Sequence, residues 1–326
     1  MKKSKVKSDP VRRGSALLAV LWVSAALAAI AWSVAGTVRV ETERTSTALD
    51  GLRSEYLAAG GIWRTADQML WDAQSPVGPE VHRNPPVVEF TFPAGVVHVE
   101  VVPEAAKLNV NVAPPEELYR LLVALGEDPE RARDIAVAIA GSRIPGVPGA
   151  PVLPSGSSFG GRHASFEEIE ELMQVPGVTP DLFYGTYLPT PDAAEGARLT
   201  RRAGLRDCLS VFGSVDRIDV NTAEPAVLAA IGMSPDAINQ LVVRRKLEPL
   251  TEQQVQEIAA GAGPAAGRLR VGGNSIYTMR ATARLRLQNG QFSDLRRSVA
   301  AQVKFMPPGY DSPIHILRWY NSVWAN

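Results

Sequence analysis

Ala16-Leu17-Leu18-Ala19-Val20-Leu21-Trp22-Val23-Ser24-Ala25-Ala26-Leu27-Ala28-Ala29-Ile30-Ala31-Trp32-Ser33-Val34-Ala35-Gly36-Thr37-Val38 is a run of 23 residues without a charge. As a helix it spans about 34 Å, close to the hydrocarbon thickness of a bilayer. Arg39 ends it. Before it stand Lys2, Lys3, Lys5, Lys7, Arg12 and Arg13 against the one acid Asp9. Basic flanks stay in the cytoplasm, so everything after Arg39 is expected outside. A cleavable secretory signal is the rival reading, with an apolar core of about 7–15 residues. Here the run is longer and the helical pattern continues past it. Leu49, Leu52, Tyr56, Ala59, Trp63, Ala66 and Leu70 recur at alternating spacings of three and four, a stripe on one helix face. Glu41, Glu43, Arg44, Arg53, Glu55, Arg64 and Asp67 occupy the other faces. The pattern predicts one helix over 15–74, membrane-spanning at about 16–38, with the second half of the stripe packed on the chain's own folded part. Ser75 and Pro76 end it.

The 326 residues suffice for one large domain or two modest ones. Formal charge is zero, but the basic cluster sits before the apolar run, which leaves the remainder mildly acidic. That is no nucleic-acid footprint. The lone Cys208 excludes an intramolecular disulfide and reads as a small buried hydrophobe. His82, His98, His163 and His315 are scattered without zinc-type spacing. There is no Walker loop, dinucleotide fingerprint or obvious catalytic carboxylate pair, so the chain reads as a non-enzyme.

A polar, proline-rich link runs from Ser75 to Pro86. Val87–Phe92 and Val96–Val102, separated by Pro93-Ala94-Gly95, read as a β-hairpin. Near the end, 275–287, 298–305 and 314–320 read as strands. Tyr277, Met279, Ala281, Ala283, Leu285 and Leu287 alternate with Thr278, Arg280, Thr282, Arg284 and Arg286. Period two with one polar face predicts an antiparallel sheet, and the amino-terminal helix is its natural cover. The fold class is α+β. The chain divides into 1–14, the helix 15–74, a first β part 75–104, a mainly helical insert 105–268 and a last β part 269–326.

The insert contains a repeat. Lys107-Leu108-Asn109-Val110-Asn111-Val112-Ala113-Pro114-Pro115-Glu116-Glu117-Leu118 matches Arg217-Ile218-Asp219-Val220-Asn221-Thr222-Ala223-Glu224-Pro225-Ala226-Val227-Leu228 at a constant offset of 110. Asn111 and Asn221 suit turns or N-caps, and the prolines suit a first helical turn. Two helix-hairpin-helix candidates lie at Glu171–Thr179 and at Leu228–Ser234 with Ile238 and Val242–Arg245. DNA-binding hairpins usually place a glycine where Thr179 and Ser234 stand, so a structural hairpin is the expectation. Gly156-Ser157-Ser158-Phe159-Gly160 fits a hydrolase motif, but it lies among Pro, Gly and Ser and reads as a surface loop. Asp216, Asp219, Asn221 and Glu224 could serve as oxygen ligands for calcium or as helix caps.

Arg12-Arg13-Gly14-Ser15-Ala16-Leu17-Leu18-Ala19-Val20-Leu21-Trp22-Val23 resembles the class III leader of type IV pilins and pseudopilins. The resemblance implies a cut by prepilin peptidase between Gly14 and Ser15, methylation of Ser15, and retention of the apolar segment. Leu17, Leu18, Leu21 and Trp22 would then pack in lipid and later against neighbouring helices. Most pilins carry a glutamate at the fifth mature position, which here is Ala19. Its loss, the Ala-Leu-Leu-x-Val-Leu-Trp-Val opening, the length and the repeat-bearing insert resemble the K-type minor pseudopilin of type II secretion, the general secretion pathway protein K family. That family implies a pilin-like fold with two SAM-like units in the insert and a place at the pseudopilus tip. The implied partners are I- and J-type minor pseudopilins, the major pseudopilin, prepilin peptidase and inner-membrane lipid, with secreted substrates or the outer-membrane channel as further contacts. Calcium is the candidate cofactor, on Asp216, Asp219 and Glu224. A membrane-anchored DNA-binding protein, a periplasmic hydrolase and a minor pilin of a related filament are the alternatives.

Overall fold

The structure is a computed structural model that describes residues 11–74, 87–143, 165–189, 199–259, 263–273 and 275–321. The residues before Val11, the link 75–86, the Gly156–Gly160 motif, His82 and His163 lie outside them. Gly14 and Ser15 fall in the first turns of the first helix, where only the backbone is described.

In chain order the elements are helix α1 Val11–Gln74, strands β1 Val87–Phe92, β2 Gly95–Pro103 and β3 Leu108–Asn109, and helices α2 Pro115–Ala124, α3 Pro129–Arg143 and α4 Pro180–Tyr184. Then come β4 Thr186–Pro189, β5 Leu199–Arg202, α5 Leu205–Cys208, β6 Leu209–Ser210 and β7 Ile218–Asp219. Helices α6 Pro225–Ala230, α7 Pro235–Leu247 and α8 Glu252–Ala259 follow, then β8 Leu269–Arg270, β9 Ile276–Arg286, β10 Phe292–Phe305 and β11 Ile314–Tyr320.

Two compact units divide the chain at Ser54. The first is the early part of α1, through Ser54. From Ala16 it is long and apolar enough to cross a membrane, and its apolar window has no buried share. From Ala16 to Val38 it is apolar on all sides, as a lipid-facing helix must be. Ser24 Oγ donates to Val20 O at 2.7 Å and Thr37 Oγ1 to Ser33 O at 3.0 Å. The helix thus satisfies these hydroxyls internally, which lipid cannot do. Charges begin at Arg39, paired with Glu43, and Arg44 pairs with Glu41.

In the second unit β1, β2, β9, β10 and β11 form an antiparallel sheet in that order. Met279, Ala281 and Ala283 of β9 face one side and are fully buried, as the alternation predicts. They meet Val97, Val99 and Val101 of β2, Val299, Ala301 and Val303 of β10, and Ala58, Ile62 and Ala66 of α1. The cover of the sheet is therefore the helix. Its buried face shares only Ala66 with the predicted stripe. Tyr56 is 72% exposed and Trp63 47%, whereas Ala58, Gly61, Ile62, Thr65 and Ala66 are buried. Small residues let the helix lie close to the strands: a Cβ on Gly61 would sit 2.5 Å from Val97 Cγ1. The aromatic side chains have no room there and point outward. Strand β10 also begins at Phe292, before the predicted Ser298. Its first residues, Phe292-Ser293-Asp294-Leu295-Arg296-Arg297, carry no alternation, but a turn at Gly290 with φ 82 brings them beside β9.

The connection from β2 to β9 is the insert, and it has its own core. Leu108, Leu118, Leu121, Leu122, Ile135 and Ile139 from its first part bury with Val220, Val227, Leu228 and Leu241 from its second. Strands β7 and β8 pair in parallel and bring Leu269, just past the expected boundary at 268, into this core.

Candidate functional site

The repeat is a three-dimensional one. Each copy opens on a two-residue strand that pairs in parallel with a two-residue strand at its end: β3 with β6, and β7 with β8. Val110 N donates to Ser210 O and Val220 N to Arg270 O, both at 3.0 Å. Pro115 and Pro225 stand in the first turns of α2 and α6, where the missing N–H costs nothing. Gly126 with φ 85 and Gly232 with φ 95 then turn the chain into α3 and α7. Asp128 Oδ1 accepts from Glu130 N, and Ser234 Oγ from Ala237 N, at the starts of those helices. The two copies meet where α2 packs on α6. There Arg120 Nε donates to Ala230 O at 2.7 Å, between positions that are themselves related by the offset of 110.

Asn111 and Asn221 do not cap helices. Asn111 receives Phe166 N and donates to Phe166 O, and Asn221 does the same with Leu250 N and O, at 2.7 to 3.0 Å. Each amide side chain mimics a strand partner and clasps a distant segment to the start of its copy. A guanidinium completes each clasp. Arg143 donates to the carbonyls of Val110 and Ala113, and Arg245 to those of Val220 and Ala223. Burial pulls Arg245 below its ordinary pKa, opposed by nearby Glu224 and Asp219.

The proposed metal ligands are not brought together. Asp219 is 2% exposed and spends its oxygens inside the fold. Its Oδ1 accepts from Gly272 N at 2.9 Å and from Asn221 N, and its Oδ2 from the Thr222 hydroxyl. Glu224 occupies the N-cap of α6 without a side-chain cap bond, and burial, then Asp207, raises its pKa. Asp216 is exposed. Among the described residues no group of three or more His, Cys, Asp or Glu side chains is placed to hold a metal. As placed among the described residues, Asp216, Asp219 and Glu224 do not form a calcium site. Cys208 is fully buried, and burial followed by Glu224 and Asp207 holds its thiol well above the usual range, which keeps it protonated and inert.

Two hairpin candidates are real turns. Gly177 has φ 89, and Thr179 Oγ1 accepts from Leu182 N at 3.3 Å at the start of α4. Thr179 and Ser234 therefore use their hydroxyls to engage amides that a phosphate-binding hairpin leaves free.

Among the described residues, α1 carries many exposed large apolar side chains. Leu17, Leu18, Leu21 and Trp22 are 58–74% exposed, and Ala19 is exposed among them. Further along, Leu49, Leu52, Tyr56, Trp63 and Trp71 are exposed too. Exposed large apolar side chains of this kind mark surfaces that lipid or another protein covers.

No protein-family model and no curated protein matches the chain. Its structure is similar to a chain in the crystal structure of the GspK-GspI-GspJ complex from the enterotoxigenic Escherichia coli type 2 secretion system, with a TM-score of 0.54 and 13% sequence identity over 86% of this chain and 100% of that one. At that identity the likeness is one of fold.

Proposed function

We propose that this chain is a minor pseudopilin of the K type in a type II secretion system, a structural protein and not an enzyme. One observation carries the reading. An apolar helix with no buried share in its membrane-length window continues into the cover of an antiparallel sheet, and the β2–β9 connection of that sheet is a helical insert of two copies. The same overall fold occurs in the GspK-GspI-GspJ complex.

In this reading the basic leader stays in the cytoplasm, the apolar helix spans the inner membrane, and residues after Arg39 reach the periplasm. Prepilin peptidase cuts between Gly14 and Ser15. I-type and J-type minor pseudopilins and the major pseudopilin pack on the outward row of α1. Ala19 in place of a glutamate suits a subunit at the tip, which has no neighbour above it to pair with an intramembrane carboxylate. The two copies of the insert correspond to SAM-like units. They serve assembly and export at the tip by contact with subunits, secreted substrates or the outer-membrane channel.

Processing tests the pilin part of this directly. Intact-mass and amino-terminal analysis of the chain from membranes is expected to find N-methylated Ser15 as the first residue. A mature chain that begins at Met1, or one that has lost residues 16–38, contradicts it.

A further inference from the structure

Where the insert meets the sheet there is a cavity of about 60 Å³. The insert lines it with Lys107, Glu170, Arg206 and Asp207, and the sheet with Arg280 and Gln302. Three of these residues bring buried polar atoms that have no hydrogen-bond partner: Glu170 Oε2, Gln302 Oε1, and Arg280 Nε and Nη1. Gln302 is only 9% exposed. Leaving such atoms dry is unfavourable, so the joint needs a guest.

The chemistry selects the guest. Glu170 Oε2 and Gln302 Oε1 require donors, whereas Arg280 Nε and Nη1 require acceptors. An anion serves only the arginine, and a metal cation serves only the two oxygens. The charges around the cavity are also largely matched. Lys107 lies 3.7 Å from Glu104, Asp207 2.7 Å from Arg201, and Arg280 Nη1 3.5 Å from Glu100. Arg206 and Glu170 remain, with opposite signs. No net field draws an ion in. Water both donates and accepts, and the cavity has room for about two to four molecules.

We propose that this cavity is a structural water site, in which ordered waters bridge Gln302 and Arg280 of the sheet to Glu170 of the insert. The direct contacts around it are polar as well. Thr278 Oγ1 donates to Glu104, and Arg318 Nη2 donates to Glu167 O at 2.8 Å and pairs with Glu168 at 3.1 Å. The insert and the sheet keep separate apolar cores. Hydrated polar bonds are what hold one to the other at this joint.

The test uses the full-length chain in detergent. A crystal structure at a resolution that shows solvent is expected to place waters about 2.7–3.2 Å from Gln302 Oε1, Arg280 Nε and Glu170 Oε2. Thermal melts of Gln302→Leu supply a second reading with a sign. If Gln302 holds a bridging water, the leucine breaks the bridge and lowers Tm by about 2–4 °C. If Gln302 Oε1 is instead unsatisfied, removing it raises Tm. A direct Arg280–Glu170 ion pair that fills the cavity, a single bound ion, or a raised or unchanged Tm in Gln302→Leu overturns the proposal. Should Gln302→Leu fail to fold, the solvent map of the unsubstituted chain decides alone.

Discussion

Glu224 sits half-buried at the start of α6, where a carboxylate ordinarily gains from the helix dipole. Here it makes no cap bond, and burial with Asp207 nearby raises its pKa instead. The sign follows from proton linkage. Between its unfolded and folded pKa the folded state binds more protons, so stability falls as pH rises through that window and stays lower above it. Glu224→Gln removes the penalty. The substitution is expected to raise the melting temperature at pH 7 and to leave it unchanged near about pH 3, where Glu224 is protonated in both states. Equal melting curves for the two proteins at both pH values count against this account of Glu224. The clasp residues show how far such single groups were readable. Asn111 and Asn221 stand out in the sequence because they share the offset of 110. Their partners Phe166 and Leu250 do not, since the chain between differs in length in the two copies. Arg143 and Arg245 are hidden for a definable reason. Helices α2 and α6 have 10 and 6 residues, and Arg143 closes α3 whereas Arg245 lies inside α7. Each four-residue difference is about one helical turn, which preserves the face but breaks a constant offset.

Among the elements, α1 makes the sharpest contrast between what periodicity reveals and what it hides. Its length, its uncharged run and its role as cover of the sheet all follow from the sequence. Which face does the covering does not. Spacing alone favours the bulky stripe through Tyr56 and Trp63, but contact with a sheet selects the face that can come nearest. That face holds Ala58, Gly61, Thr65 and Ala66. Gly61→Ala is therefore expected to destabilise the chain by about 1–3 kcal/mol, since its Cβ must displace the stiff Val97 side chain. Gly60→Ala is the control, because nothing lies within 4 Å of a Cβ there and alanine favours the helix. Chemical denaturation of both variants in detergent checks the pair. Equal stability of the two contradicts the close helix–sheet contact. Strand β9 was legible in full because it alternates, whereas the early part of β10 was not, because its register is set by a partner strand.

At the scale of the molecule the chain joins parts with separate jobs. From Ala16 to Val38 helix α1 is apolar all round. The sheet and the later part of α1 share one core, and the insert has another, built twice from the same plan. Nothing in this division needs catalytic chemistry. The exposed row of Tyr56, Trp63 and Trp71 would be a liability on a protein that stays alone, and it is what a subunit needs for packing beside others. The central claim is therefore one of assembly. Its most direct measurement is co-purification of the full-length chain from detergent-solubilised membranes that also carry the I-type and J-type minor pseudopilins of the same system. The account predicts a stable complex of the three, lost when Tyr56→Arg and Trp63→Arg are combined, with the variant still folded. Recovery of the unsubstituted chain alone, or a complex indifferent to both substitutions, contradicts it.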